Sequence, residues 1–244
     1  MPQRRIRSCP VTDANRSIHR SIHQYSELDS TQNEARRLLK AGRATEGHVV
    51  LAERQTAGRG RFGRLWVSPK GGFYATFVLP KMTIPSIRVG LVLHDALERL
   101  GLTTQLKWPN DLLVGEKKLG GILVEEARGL FLAGVGVNLS MAPLPMTTSA
   151  SQSGTSISVL DLLGKMLGSL TQESDEEVLG AYRSCCATIG RIVRIERSLS
   201  EPALEGLAVG VSGKGLLMVE AEGSVHSIAG GECFHLRTPD SKDR

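Results

Sequence analysis

The stretch that most constrains this chain covers residues 55–66, Gln-Thr-Ala-Gly-Arg-Gly-Arg-Phe-Gly-Arg-Leu-Trp, with three glycines and three arginines in the seven residues from Gly58 to Arg64. Glycine lets a backbone take φ > 0 and come close to a ligand, and arginine offers a planar fork of donors that fits carboxylate and phosphate oxygens. The pattern reads as an anion-binding loop. Gly58, Gly60 and Gly63 formally match a Gly-x-Gly-x-x-Gly dinucleotide fingerprint, but that motif needs a helix to open at its third glycine. Here Pro69 and the pair Gly71-Gly72 stop any helix before two turns form. A solvated basic turn is the plainer alternative. Phe62 and Trp66 speak against it, because the chain has only five phenylalanines and two tryptophans.

Ahead of the loop, Asp29-Ser30-Thr31 followed by Gln32-Asn33-Glu34-Ala35, Leu38-Leu39 and Gly42 spells a capped helix with a C-terminal glycine. The hydroxyls of Ser30 and Thr31 read as plain caps or as caps that also face a ligand. Residues 48–53 form a β-type run that feeds the loop, and Phe73–Leu79, closed by Pro80, is the returning strand. Residues 85–100 have apolar positions at helical spacing and end at Gly101. A second informative stretch, residues 106–125, spells a strand, a Pro-Asn-Asp corner, a hairpin around Gly115-Glu116 and a buried strand from Ile122. Lys107 and Asp111 flank the corner. Lys118 precedes Gly120-Gly121, where backbone and ligand can come close, although on spacing alone it also reads as a solvated hairpin lysine. Residues 131–138 are a strand of small residues ending in the Asn138 amide. Residues 140–156 read as exposed loop, 159–170 and 176–189 as helices, and the runs 192–195, 206–211, 216–220 and 225–228 as a small closing β-barrel.

The whole chain, 244 residues with 41% hydrophobic and 23% charged content, has room for a substantial core and no run that approaches a membrane-spanning helix. Its net charge of +5 suits anionic ligands or an acidic partner. Cys9, Cys185, Cys186 and Cys233 form no Cys-x-x-Cys pair, so neither a zinc site nor a disulfide framework is expected, and a reducing cytoplasm is the expected compartment. His19 and His23 share helical spacing but lack the glutamate of a zinc hydrolase. The expected organisation is a loosely ordered basic lead-in over 1–24, a catalytic domain over 25–189, the barrel over 190–238 and a tail over 239–244.

Ser30, Thr31, Gln55, Arg59, Arg61, Arg64, Lys107 and Lys118 together suit a reaction between two anions. Joining a carboxylate to the α-phosphate of a nucleotide is such a case, since preorganised Arg, Lys and Mg²⁺ offset the repulsion. Asp111 is placed to hold the magnesium or to orient Lys118.

The two stretches together resemble the biotin protein ligases. Residues 55–66 look like that family's biotinyl-adenylate loop, and Lys107-Trp108-Pro109-Asn110-Asp111 with Lys118-Leu119-Gly120-Gly121-Ile122-Leu123-Val124-Glu125 looks like its second signature. Asp29-Ser30-Thr31, Gly134-Val135-Gly136-Val137-Asn138 and Gly230-Gly231-Glu232 fall in the family's order, so the resemblance spans about residues 25 to 237. It implies an α+β fold: a mixed-sheet catalytic domain related to class II aminoacyl-tRNA synthetases, then an SH3-like barrel. It implies that Mg²⁺-ATP converts biotin to biotinyl-5′-AMP, and that the biotinyl group passes to a lysine of a biotin carboxyl carrier protein. Carried over by position, Ser30, Thr31, Gln32, Gln55, Gly58, Arg59, Gly60, Arg61, Lys118, Gly120 and Gly121 would bind biotin. Arg59, Arg61, Trp66, Lys107, Asn110 and Asn138 would bind ATP and the adenylate, and Lys118, Arg59 and Asp111 would be catalytic, with Asp111 as metal ligand.

The family often has Asn directly after Ser-Thr, where this chain has Gln32 and then Asn33. Some members carry an N-terminal winged helix; the residues ahead of Tyr25 are too few for one, so specific DNA binding is not expected. No membrane partner is expected either, and a homodimer is compatible with the pattern. Lipoate or octanoate transferases of related fold are the nearest rivals and would lack the arginine loop. A non-catalytic basic module for nucleic acid would want more aromatic side chains among its cations.

Overall fold

The run Phe73–Leu79 forms β3, and all seven of its residues are buried, as a strand covered on both faces requires. Side chains alternate across a strand, so Phe73, Ala75, Phe77 and Leu79 enter one core while Val78 enters another. In the computed structural model of the protein, which describes residues 21–169, 174–197 and 202–236, β3 belongs to a seven-stranded mixed sheet. Its other strands are β1 (Ile22–Tyr25), β2 (Val49–Ala52), β4 (Gln105–Lys107), β5 (Asp111–Val114), β6 (Lys117–Ala127) and β7 (Leu130–Val137), in the order β1-β2-β3-β7-β6-β5-β4. β1 is parallel to β2 and the remaining neighbours are antiparallel.

Helix α1 (Thr31–Lys40) lays Ala35, Leu38 and Leu39 on one face of the sheet, the i, i+3, i+4 spacing of an amphipathic helix. The other face is covered by α2 (Pro85–Glu98), α3 (Val159–Ser169) and α4 (Asp175–Cys185). α4 opens with a capping box in which Glu177 N–H donates to Ser174 Oγ and Ser174 N–H to Glu177 Oε2.

A second, antiparallel sheet of five strands closes the described chain: β8 (Ile192–Glu196), β9 (Leu204–Val211), β10 (Leu217–Ala221), β11 (Ser224–Ile228) and β12 (Glu232–His235), ordered β11-β10-β9-β8-β12. Its inward residues Val193, Ile195, Ala208, Leu217 and Val219 belong to the same core cluster as α2 to α4. Polar ties reinforce the junction. Trp108 Nε1 donates to Gly215 O at 3.1 Å, and Trp108 N donates to Thr188 Oγ1, which lies 3.0 Å from His235 Nε2.

Four details differ from the sequence reading. Ordered pairing begins at Ile22, inside the expected lead-in, because that segment joins β2 in register Ile22↔Val49. β6 is continuous from Lys117, not from Ile122, so Lys118 sits within a strand. α4 ends at Cys185, four residues short of Ile189, because Cys186 bridges to Leu106 and Ala187 N–H bonds Leu106 O. Within 140–156, Thr148, Ser149 and Ala150 are buried, not exposed. Residues 1–20, with Cys9 and His19, Leu170 and the 239–244 tail lie outside the described residues.

Candidate active site

Alternation along β6 and β7 decides where the sheet is bare. Leu132 packs with Leu38 and Leu39 of α1, and two and four residues further the same face of β7 carries Gly134 and Gly136. Gly121 of β6 pairs with Gly136. Trp66 lies down on this bare patch: a Cβ at Gly136 would stand 2.5 Å from its Nε1, and one at Gly121 would stand 3.4 Å from its Cζ3. Around it opens a cavity of about 330 Å³, bounded by the N-terminus of α1, the arginine loop, the corner after β4, strands β6 and β7, and residues 231–234. That volume lies at the lower end of the range for small-molecule sites.

One end of the cavity is neutral and polar. Ser30 holds the N-cap position of α1 by its backbone, yet its side chain makes no capping bond, and its Oγ is buried without a partner among the described residues. Thr31 is tied to Gln55, whose Oε1 accepts from Thr31 N at 2.8 Å and from Thr31 Oγ1 at 3.2 Å while its Nε2 donates to Ser68 Oγ at 2.8 Å. Gln32 is buried, and its amide is fully engaged: Oε1 accepts from Thr76 Oγ1, and Nε2 donates to Leu132 O and Glu125 Oε2. Trp66 Nε1 is a second buried donor with no partner among the described residues. An unmet buried donor or acceptor costs about 1–3 kcal/mol, and both residues line the cavity, which marks them as candidate ligand contacts.

The other end is cationic. Five cationic side chains, Arg59, Arg61, Arg64, Lys107 and Lys118, line the cavity against two carboxylates, Asp111 and Glu232. The β5–β6 hairpin sets Lys118 Nζ 2.5 Å from Asp111 Oδ1 and 5.4 Å from the centre of the Trp66 ring. Asn110 is pinned to β6 by Nδ2 donating to Ile122 O and by its own carbonyl accepting from Ile122 N, which leaves Oδ1 to accept from Arg61 Nη1 at 2.9 Å. Arg61 also reaches Gly231 O at 3.3 Å. Burial pulls the Arg61 pKa down, Asp111 counters, Arg64 adds to the lowering and Glu232 opposes it; a guanidinium keeps its proton regardless. Arg59 pairs with Glu125 and Arg64 with Glu232, whereas Arg61 and Lys107 have no carboxylate partner among the described residues. Cys233 also borders the cavity, but burial pushes its thiol up to about 12, which makes it no thioester-forming nucleophile.

Two family models match the chain. Residues 25–141 match the biotin/lipoate A/B protein ligase family, and residues 188–236 match the biotin protein ligase C terminal domain. The chain belongs to the biotin/lipoate A/B protein ligase family. Among the relatives of this ligase, the biotin–[acetyl-CoA-carboxylase] ligase of Mycobacterium tuberculosis is 29% identical over 246 residues, spanning 89% of this chain and 90% of the relative. The solved biotin protein ligase of Aquifex aeolicus in complex with biotin and ATP superposes with a TM-score of 0.77 at 28% identity, covering 89% of this chain and 99% of that one. The Leishmania major biotin protein ligase in complex with biotinyl-5-AMP gives 0.64 at 27% identity, over 86% and 98% of the two chains. The two matched parts of the ligase meet at the cavity, since residues 231–234 lie in the second.

Of the site residues expected from sequence, Ser30, Thr31, Gln32, Gln55, Arg59, Gly60, Arg61, Trp66, Lys107, Asn110, Asp111, Lys118 and Gly121 border this one cavity. Gly58, Gly120 and Asn138 do not. A Cβ at Gly58 would meet Trp66 O at 2.4 Å, so this glycine lets the loop close on itself. At Gly120 it would meet Gly136 O at 2.8 Å, so that glycine seats β6 against β7. Asn138 is buried behind the site, with Nδ2 donating to Thr148 O at 3.1 Å, and it anchors the loop 144–150 instead of lining the cavity. Phe62 is 62% exposed and lies outside the cavity lining, where its ring stacks under Arg61 at 4.8 Å and Arg64 at 5.8 Å, so of the two aromatics only Trp66 borders the cavity. No helix opens at Gly63, in keeping with the rejected dinucleotide reading. Sequence reasoning quoted Gly134-Val135-Gly136 and Gly231-Glu232 within the family resemblance but gave them no site role, and it missed Thr147, Cys233 and Phe234. The period-two glycines of Gly134-Val135-Gly136 were the available signal.

Proposed function

We propose that this ligase uses ATP to activate biotin as biotinyl-5′-AMP and passes the biotinyl group to a lysine of a biotin carboxyl carrier protein. The observation that carries the reading is one cavity with two chemically opposite ends: a neutral end at Ser30 and Thr31, and a cationic end at Arg61, Lys107 and Lys118. Biotin has that polarity, a neutral ureido ring and a carboxylate, and ATP brings its charge to the carboxylate end. The relatives solved with biotin and ATP and with biotinyl-5-AMP support it.

In the first step a carboxylate oxygen of biotin attacks the α-phosphorus, the bond to the bridging oxygen breaks, and pyrophosphate leaves. Lys118, oriented by Asp111, and Arg59 and Arg61 offset the charge on the phosphoryl oxygens. The Trp66 indole offers a flat face to the adenylate. In the second step the carrier lysine amine attacks the acyl carbon, the bond to the phosphate oxygen breaks, and AMP leaves with loss of the amine proton.

Among the described residues no three His, Cys, Asp or Glu stand together as a metal cage. Magnesium bound with nucleotides needs only one or two protein carboxylates, so Asp111 would be the residue to hold it here, and the ion would lower the repulsion between carboxylate and phosphates. No helix among the described residues is long and apolar enough to cross a membrane. We assign the protein to the cytoplasm and give it no DNA-binding role.

Biotin-dependent release of pyrophosphate from Mg²⁺-ATP tests the reading, with lipoate and octanoate in parallel. Release with biotin alone is expected; release with lipoate or octanoate instead would move the chain to the sister branch of the family, and release with none would refute the reading.

A further inference from the structure

Glu125 ends the second signature stretch on β6, outside the cavity lining, and its carboxylate is shared by three side chains. Oε1 accepts from Arg59 Nη2 at 2.8 Å; Oε2 accepts from Arg59 Nη1 at 3.2 Å, Arg36 Nη2 at 3.0 Å and Gln32 Nε2 at 3.1 Å. The two bonds to Arg59 are the end-on fork that fixes both the plane and the rotation of a guanidinium. The dependence runs one way. Without Arg59, Glu125 keeps Arg36 and Gln32; without Glu125, Arg59 keeps only a 3.3 Å bond to Asn33 Oδ1. Stability gives little reason for the pair, since the side chains are 39% and 23% exposed and such pairs contribute about 0–1 kcal/mol.

Behind Glu125 the hydrogen bonds continue. Both amide hydrogens of Gln32 are engaged, one on Leu132 O and one on Glu125, and its oxygen takes Thr76 Oγ1 at 3.1 Å. Thr76 Oγ1 lies 3.0 Å from Thr31 Oγ1, and Thr31 bonds Gln55. One network thus runs from the neutral end of the cavity to the arginine at its cationic rim. An asparagine at position 32, one methylene shorter, would not span the same gap to Glu125.

We propose that Glu125 is a positioning residue for adenylate formation: buttressed by Gln32, it aims Arg59 at the α-phosphate of ATP, so that Gln32 serves as support and not as a biotin contact. The inference rests on the adenylation reading above. Arg59 retains its Nε–H edge for the ligand while its end-on fork stays on Glu125.

The test uses the full chain carrying Glu125→Gln or Glu125→Asp, with three readouts: steady-state biotin-dependent pyrophosphate release with ATP varied, biotin affinity by calorimetry without ATP, and Tm. Glu125→Gln is expected to lower kcat/KM for ATP by about 10–100-fold, the scale of a misplaced reacting group, with biotin affinity and Tm unchanged. Glu125→Asp keeps the charge and is expected to recover part of the loss. Wild-type rates in Glu125→Gln would overturn the proposal, and so would a parallel fall in biotin affinity and Tm, which a merely structural role would give. Absence of biotin-dependent release in the wild type would sink the adenylation reading itself. The placement is read independently of activity: a crystal structure of Glu125→Gln with Arg59 still in its wild-type position would overturn it.

Discussion

Gly136→Ala isolates the role of Trp66 in this ligase. The methyl group would stand 2.5 Å from Trp66 Nε1, 2.7 Å from Cε2 and 3.1 Å from Cζ2. Non-bonded heavy atoms settle at about 3.5–4.0 Å, so the indole must lift by about 1 Å. The glycine itself has no positive φ, so alanine adds no backbone strain, and Trp66 is only half-buried, so it can move toward solvent. The stability cost should fall at the low end of the ~1–3 kcal/mol range for overpacking. Catalysis should suffer more, because a displacement of ~1 Å near reacting groups costs on the order of 100-fold in rate. The expected result is a large fall in kcat/KM for ATP in pyrophosphate release, with biotin affinity affected less, because the three atoms nearest the new methyl all belong to Trp66 and none to Ser30 or Thr31. Tryptophan emission reports the movement directly, since the only other tryptophan, Trp108, is 2% exposed. Gly120→Ala is the contrast: its methyl would meet the Gly136 carbonyl at 2.8 Å, a backbone atom that cannot swing away, so Tm should drop. Wild-type kinetics in Gly136→Ala together with a shifted emission spectrum would refute the argument that Trp66 packs on the adenylate.

Two further outcomes are expected. Ser30→Ala removes a buried hydroxyl that makes no capping bond and has no partner; the empty protein should therefore keep or raise its Tm, against the usual loss of about 0.5–2 kcal/mol for an N-cap serine, while biotin affinity falls about tenfold, and a lowered Tm would show a capping role after all. For His235, burial first and then Lys107 and Arg191 pull the pKa from 6.5 down to about 4. The unfolded chain therefore takes a proton that the folded one refuses, so this residue's contribution to stability is complete above pH 6.5 and is lost as pH falls toward 4. Tm measured between pH 7 and 4.5 should fall less steeply in His235→Gln, and identical slopes would refute the assignment.

How far the sequence disclosed this arrangement depended on whether a signal was local. β3 was legible to the residue because both of its faces are buried, which forces an uninterrupted apolar run. α1 and α2 were legible from spacing and end residues. β12 was not, because Glu232, Cys233, Phe234 and His235 alternate without an apolar face, and only Cys233 among them is buried; yet this strand and the glycine before it close the cavity. The end of α4 failed for a related reason: a bridge to Leu106, far away in sequence, overrides helical spacing at Cys186. Biotin itself came from resemblance, since residue types alone specified only an anion site.

The three loop arginines show what residue type leaves open. All three were legible as donors for anions, and the fold then gives them different partners. Arg59 finds the Glu125 carboxylate, Arg64 finds Glu232, and Arg61 finds only neutral oxygens, Asn110 Oδ1 and Gly231 O. A cation paired with a carboxylate presents little net field to a ligand, whereas a half-buried guanidinium bonded to amide oxygens keeps its full charge in a place of low screening. Within this loop the charge without a hydrogen-bonded carboxylate is therefore that of Arg61, and the carboxylates of the two outer arginines fix where those point. No feature of the Gly-Arg-Gly-Arg-Phe-Gly-Arg pattern distinguishes the three, because the distinction lies in Glu125, Asn110 and Glu232, each brought to the loop from a different part of the chain.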